Sequence, residues 1–227
     1  MTTGYYGMFD NRVTAGQALA REVIKKNYDN PIVLALPRGG VPVAAEVAKQ
    51  LKAPFDLVLV RKIGVPFQPE LAVAAVVDGA HPEVVVNEAV RRLAHVSDEY
   101  LESEKERQLA EINRRRESYF RGREHVSVTG KTAIVVDDGI ATGATARAAL
   151  HALRRQDPKM LVLATPVAPP SILREFTKEA DDIICLNAPE YFGAIGVFYR
   201  DFSQLSDEDV LRILSSVRLD GADEPTE

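Results

Sequence analysis

The chain has 227 residues and a net charge of −5, with 46% hydrophobic and 27% charged residues. These values fit one large globular domain with a full core and offer no overall basic field for nucleic acid or an anionic membrane. One cysteine, Cys185, excludes an internal disulfide and cysteine-rich zinc sites, no apolar run approaches the roughly 20 residues of a membrane helix, and MTTGYYGMFDNR lacks a secretory pattern, so a cytoplasmic protein is expected.

Thr14 opens a helical stretch, with Gln17 as its capping-box partner and Leu19, Val23 and Ile24 as the apolar face. Residues 32–36 form a short apolar run suited to a buried strand, ending in Pro37-Arg38-Gly39-Gly40. Helix follows through residues 43–51, and residues 55–60 are a second apolar run that Arg61-Lys62 closes. Residues 64–70 read as a loop holding two prolines. Residues 72–77 and 83–86 flank Asp78-Gly79, a hairpin signal. Residues 87–118 read as one charged helix whose sparse apolar side chains are Leu101, Leu109 and Ile112. Strands at 132–136, 161–167 and 182–186 then alternate with helices at 144–155 and 171–179, and a last helix is expected near 207–217. This alternation indicates βαβ units and a mostly parallel α/β sheet, with residues 64–124 inserted as a lid or side lobe and 218–227 as a disordered acidic tail.

The informative string runs from Ala133 to Thr145, AIVVDDGIATGAT. A buried strand delivers Asp137 and Asp138 to its C-terminal end, the edge where open α/β sheets bind ligands. Small residues then lead into a helix start, where backbone N–H groups and the helix dipole favour an anion. Gly143 permits close backbone approach, and Thr142 and Thr145 add hydroxyls. Two carboxylates can accept from a vicinal diol while the loop holds a phosphate nearby. Ribose 5-phosphate carries both groups at that separation.

Here the chain resembles the type I phosphoribosyltransferases, whose signature is an apolar strand, two acids and a small loop ending T-G-x-T; the likeness spans about residues 32–199. The resemblance implies a mostly parallel central sheet flanked by helices, with an inserted lid and a hood at residues 187–203. It places Asp137 and Asp138 on the ribose hydroxyls of phosphoribosyl pyrophosphate, and Gly139, Ala141, Thr142, Gly143, Ala144 and Thr145 around the 5′-phosphate. Arg38, Gly39 and Gly40 become the pyrophosphate loop, a position that often contains a non-proline cis peptide. Mg²⁺ arrives with the substrate, with Asp137 and Asp138 as candidate protein ligands.

Arg38 can pair with phosphate oxygens, and its two glycines permit unusual backbone geometry. Arg61 and Lys62, expected on the same sheet edge, suit a departing pyrophosphate. The stretch from Arg61 to Glu70 resembles one in a bacterial branch of the superfamily, where the loop folds over substrate. Glu70 is then either a base contact or an ordinary surface glutamate. The segment from Pro189 to Tyr199 resembles the base-covering hood, so Phe192 and Tyr199 either stack on a base or pack in the core. Purine hoods place an acid where Tyr199 stands, and hypoxanthine–guanine enzymes have an aspartate where Ala141 stands, which turns the reading away from 6-oxopurines. Arg114, Arg115, Arg116, Arg121 and Arg123 read as a solvated helix face. The function expected is transfer of a 5-phosphoribosyl group from phosphoribosyl pyrophosphate to a nitrogenous base by Arg38, Lys62, Asp137 and Asp138, in a chain that a homodimer would accommodate. The alternative is a non-catalytic sensor of phosphoribosyl pyrophosphate or a nucleotide.

Overall fold

The computed structural model describes residues 7–78, 83–120 and 126–219. The elements run α1 (Arg12–Ile24), β1 (Pro31–Ala35), α2 (Gly40–Leu51), β2 (Phe55–Leu57), β3 (Val60–Val65), β4 (Gln68–Val77) and β5 (Glu83–Val86). They continue through α3 (Glu88–Leu93), α4 (Asp98–Phe120), β6 (Thr132–Val136), α5 (Ala144–Arg154), β7 (Met160–Val167), α6 (Pro170–Phe176), β8 (Asp182–Asn187), a 3-10 turn (Ile195–Phe198) and α7 (Asp207–Leu219).

Five strands form a parallel sheet in the order β2-β1-β6-β7-β8. Strand alternation sorts the core into two layers. Val33, Ala35, Ile134, Val136, Val162 and Ala164 face α1 and α2, whereas Ile32, Leu34, Ala133, Val135, Leu161 and Leu163 face α5 and α6. Both faces are therefore dry, which is why these strands are unbroken apolar runs. Helix α1 packs so closely on α2 that a Cβ on Gly16 would lie 2.7 Å from the Val43 carbonyl oxygen. The cap of α1 is Asn11, in a reciprocal box with Thr14, so the helix starts before Thr14; the expected partner Gln17 instead donates to Glu46 at 3.1 Å.

The largest departure from the sequence reading follows β2. That strand stops at Leu57, and Val60–Val65 belongs to a separate antiparallel sheet in the order β3-β4-β5. Arg61 and Lys62 thus lie inside β3 and do not end the second strand of the central sheet. Residues 64–70 are likewise no loop: β3 and β4 meet through a tight turn at Pro66-Phe67, with Phe67 at φ +64°. Pro69 is accommodated where the register skips between the Gly64↔Ala72 and Val65↔Gln68 pairs. The β4–β5 pairing bears out the hairpin signal, although Gly79 itself lies outside the described residues. The charged helix is two helices, because the chain breaks between Leu93 and Asp98 and His95 adopts φ +50°. Helix α7 extends to Leu219, past the expected start of the tail at 218; residues 220–227 lie outside the described residues. Among the described residues, no helix is long and apolar enough to cross a membrane.

Candidate active site

Parallel pairing of β1 with β6, with Ala35 opposite Val136, makes the two loops that follow leave the sheet side by side. The first loop begins at Leu36, whose N–H donates to the Val136 carbonyl at 2.9 Å, and its Pro37-Arg38 peptide is cis. Gly39 has an ordinary helical backbone, φ −58° and ψ −40°, so it does not use the backbone latitude that a glycine permits. The reason for both glycines is proximity. A Cβ on Gly39 would stand 2.1 Å from Asp138 Oδ2, and one on Gly40 would stand 2.6 Å from the Val136 carbonyl oxygen. Residues 38–40 are pressed against the acid pair.

Asp137 accepts the Asp138 N–H on Oδ1 at 2.9 Å, and Asp138 is only 7% exposed. Burial lifts the Asp137 carboxyl well above the usual carboxylate range, and the neighbouring Asp138 charge adds to the effect. Burial raises Asp138 as well, but the Arg12 guanidinium, whose Nε donates to Oδ2 at 2.7 Å, pulls in the opposite direction. Beyond the acids, the Ile140 N–H anchors the loop to the Val167 carbonyl at 2.9 Å. Gly143 then takes φ +76° as the N-cap of α5, and no side chain caps that helix start. Left-handed backbone is open to glycine at little cost, and an uncapped first turn presents its N–H groups to an anion.

Two cavities meet at Asp138. One, of about 220 Å³, is lined by residues 137–146 and Ile195. The other, of about 350 Å³, is lined by Arg12, Arg38, Gly39, Asp138, Phe202, Gln204 and Leu205. Arg38 stands at the second, with Nη1 3.7 Å from Asp207 Oδ1 at the start of α7. The sequence string and the 38–40 loop therefore converge on one place.

Among the described residues, the other candidates line neither of these two cavities. Arg61 turns toward α4 and donates from Nε to Gln108 Oε1 at 2.9 Å. Lys62 lines a third cavity of about 340 Å³ between β3–β5 and α5, together with Thr145, Arg147 and His151. Glu70 falls in β4, but its side chain lies outside the described residues. Phe192 stacks on Phe198 with ring centroids 5.6 Å apart. Tyr199 is 5% exposed, its hydroxyl donating to the Asp138 carbonyl at 2.5 Å, so it buttresses the acid pair from within the core. Arg114 and Arg115 pair with Glu111 as a surface face does, whereas Arg116 approaches the buried Asp78 at 3.6 Å; Arg121 and Arg123 lie outside the described residues. Sequence reasoning missed Arg12, Phe202 and Asp207. A single arginine opening the first helix carries no pattern that separates it from a solvated charge.

Paired acids, a closely packed glycine loop and an uncapped helix start thus lie together at the crossover edge of the sheet, the edge where open α/β folds bind ligands. The phosphoribosyl transferase domain family matches residues 8–203, and the chain belongs to that family. It is 45% identical over 216 residues to proteins of two Mycobacterium tuberculosis strains, CDC 1551 / Oshkosh and H37Rv, that bear a provisional phosphoribosyl transferase name. The match covers 95% of this chain and 48% of each relative, so the chain spans about half the length of those relatives. The crystal structure of TT1426 from Thermus thermophilus is 40% identical, with a TM-score of 0.80, covering 92% of this chain and 98% of that one.

Proposed function

We propose that the chain transfers the 5-phosphoribosyl group of phosphoribosyl pyrophosphate to a nitrogenous base, releasing pyrophosphate. The observation that carries this reading is the junction at Asp138: the cavity of the uncapped α5 loop adjoins the cavity of Arg38 and Gly39. A donor with a phosphate at one end, a diol in the middle and a pyrophosphate at the other matches that sequence of groups. The loop of residues 139–145 takes the 5′-phosphate, Asp137 and Asp138 accept from the ribose hydroxyls, and Arg38 neutralises the pyrophosphate. During transfer the bond from C1 to the pyrophosphate oxygen breaks with its electron pair leaving on that oxygen. The acceptor nitrogen bonds to C1 from the opposite face and loses its proton to solvent. The protein's share is positioning and charge stabilisation, because the leaving group is already activated.

The residues fit Mg²⁺ that arrives on the donor. Asp138 Oδ2 is engaged by Arg12 and Asp137 Oδ1 by a backbone N–H, and among the described residues no group of three or more acids, histidines or cysteines could cage a metal. One or two carboxylate oxygens plus donor phosphates is the usual Mg²⁺ arrangement, and the ion supplies charge neutralisation to the leaving group. Ala141 offers no acid to a 6-oxopurine, which directs the search toward other bases.

Incubation with phosphoribosyl pyrophosphate, Mg²⁺ and a panel of nucleobases, read as pyrophosphate release, tests this. Base-dependent release is expected. Donor binding with no release for any base would shift the reading to a sensor.

A further inference from the structure

Arg12 has no part in the roles assigned above, yet its side chain is 11% exposed and committed in three directions. Nε donates to Asp138 Oδ2 at 2.7 Å, Nη1 donates to the Ser203 carbonyl at 2.9 Å, and the guanidinium lies 3.8 Å from the Phe202 ring centroid. Phe202 in turn stacks on Tyr199 at 5.0 Å, and the Tyr199 hydroxyl returns to the Asp138 backbone carbonyl. The contacts close a circuit that starts on the Asp138 carboxylate and ends on its carbonyl. Gly39 bounds the same carboxylate from the first loop, since any Cβ there would overlap Oδ2.

We infer that Arg12 is a positioning residue that locks the Asp138 carboxylate in the orientation that receives the sugar diol. The inference rests on the reading of Asp137 and Asp138 as the diol grip. A short carboxylate held only by its own rotamer preference can swing, and about 1 Å of misplacement is costly at a reacting centre. A planar fork bonded at two ends and seated on a ring removes that freedom, which a lysine's single ammonium cannot do. A purely structural ion pair would need no seat on Phe202, which borders the same cavity.

Calorimetric titration with ribose 5-phosphate and with 2-deoxyribose 5-phosphate separates orientation from bulk stability. For Arg12→Lys, ribose 5-phosphate affinity is expected to fall about tenfold or more while the deoxy ligand changes by less than about threefold, so the preference for the diol shrinks. Phe202→Leu, which keeps both ionic partners and removes the ring seat, should move the ratio in the same direction by less. Equal weakening of both ligands, or an unchanged ratio in both variants, would overturn the positioning role. A wild-type protein without preference for ribose 5-phosphate would instead overturn the diol grip itself.

Discussion

Gly39→Ala isolates the close approach of the two loops. The added methyl would sit 2.1 Å from Asp138 Oδ2 and 2.5 Å from Asp138 Cγ, where ordinary contact begins near 3.4 Å. The carboxylate must retreat by more than about 1 Å, a shift of the size that strained overpacking produces. Its 2.7 Å bond to Arg12 survives such a shift only if Arg12 follows, and Arg12 is pinned by Ser203 and Phe202. Losing one charge-assisted hydrogen bond is worth about 1.5–3 kcal/mol, or about 10- to 150-fold in affinity for a diol-bearing ligand. Overpacking itself should lower stability by about 1–3 kcal/mol, a fall of roughly 2–12 °C in Tm for a chain of this length. Calorimetry with phosphoribosyl pyrophosphate and Mg²⁺ reads the first effect and thermal melting the second. Gly193→Ala is the control, because a Cβ there meets nothing within 4 Å, and it should bind donor as the wild type does. A Gly39→Ala protein with wild-type affinity would refute the claim that residues 38–40 shape the acid pair.

The double substitution Asp137→Asn with Asp138→Asn should abolish donor binding while circular dichroism stays native, and unchanged affinity would remove these acids from the site. Because burial raises the Asp137 carboxyl, the native state retains its proton to higher pH than the unfolded chain does, and its contribution to stability declines as pH rises above about 4. Asp137→Asn alone should therefore raise Tm by an amount that grows from acid to neutral pH; a gain independent of pH would contradict this. Cys185 is fully buried, donates from Sγ to the Asn187 carbonyl at 3.1 Å, and has its thiol pushed up to about 12. A thiol reagent at pH 8 should label it only in denaturant, and rapid native labelling would show β8 to be accessible.

The central sheet was legible because both of its faces are dry. Runs such as Thr132–Val136 can be little else when a short apolar string ends in Asp137-Asp138. The phosphate loop was legible for a related reason: small residues, an uncapped helix start and paired acids are each common, but their order is not. The second sheet was obscured by its prolines. Pro66 occupies the turn and Pro69 sits at a register skip, so a paired hairpin carries the composition of a loop. At the site, what sequence could not supply was contact across long separations. Arg12 and Asp138 stand 126 positions apart and meet only because α1 lies beside α2 and the 202–203 segment returns to the same edge. Lys62 shows the converse. Its place at the end of an apolar run suggested the sheet edge, and the second sheet carries it to a different cavity beside α5.

A crystal of the protein with ribose 5-phosphate tests the central claim most directly. The phosphate is predicted against the backbone of residues 139–145 and the two sugar hydroxyls against Asp137 and Asp138. Density for the sugar in the Lys62 cavity, or anywhere away from Asp138, would contradict it.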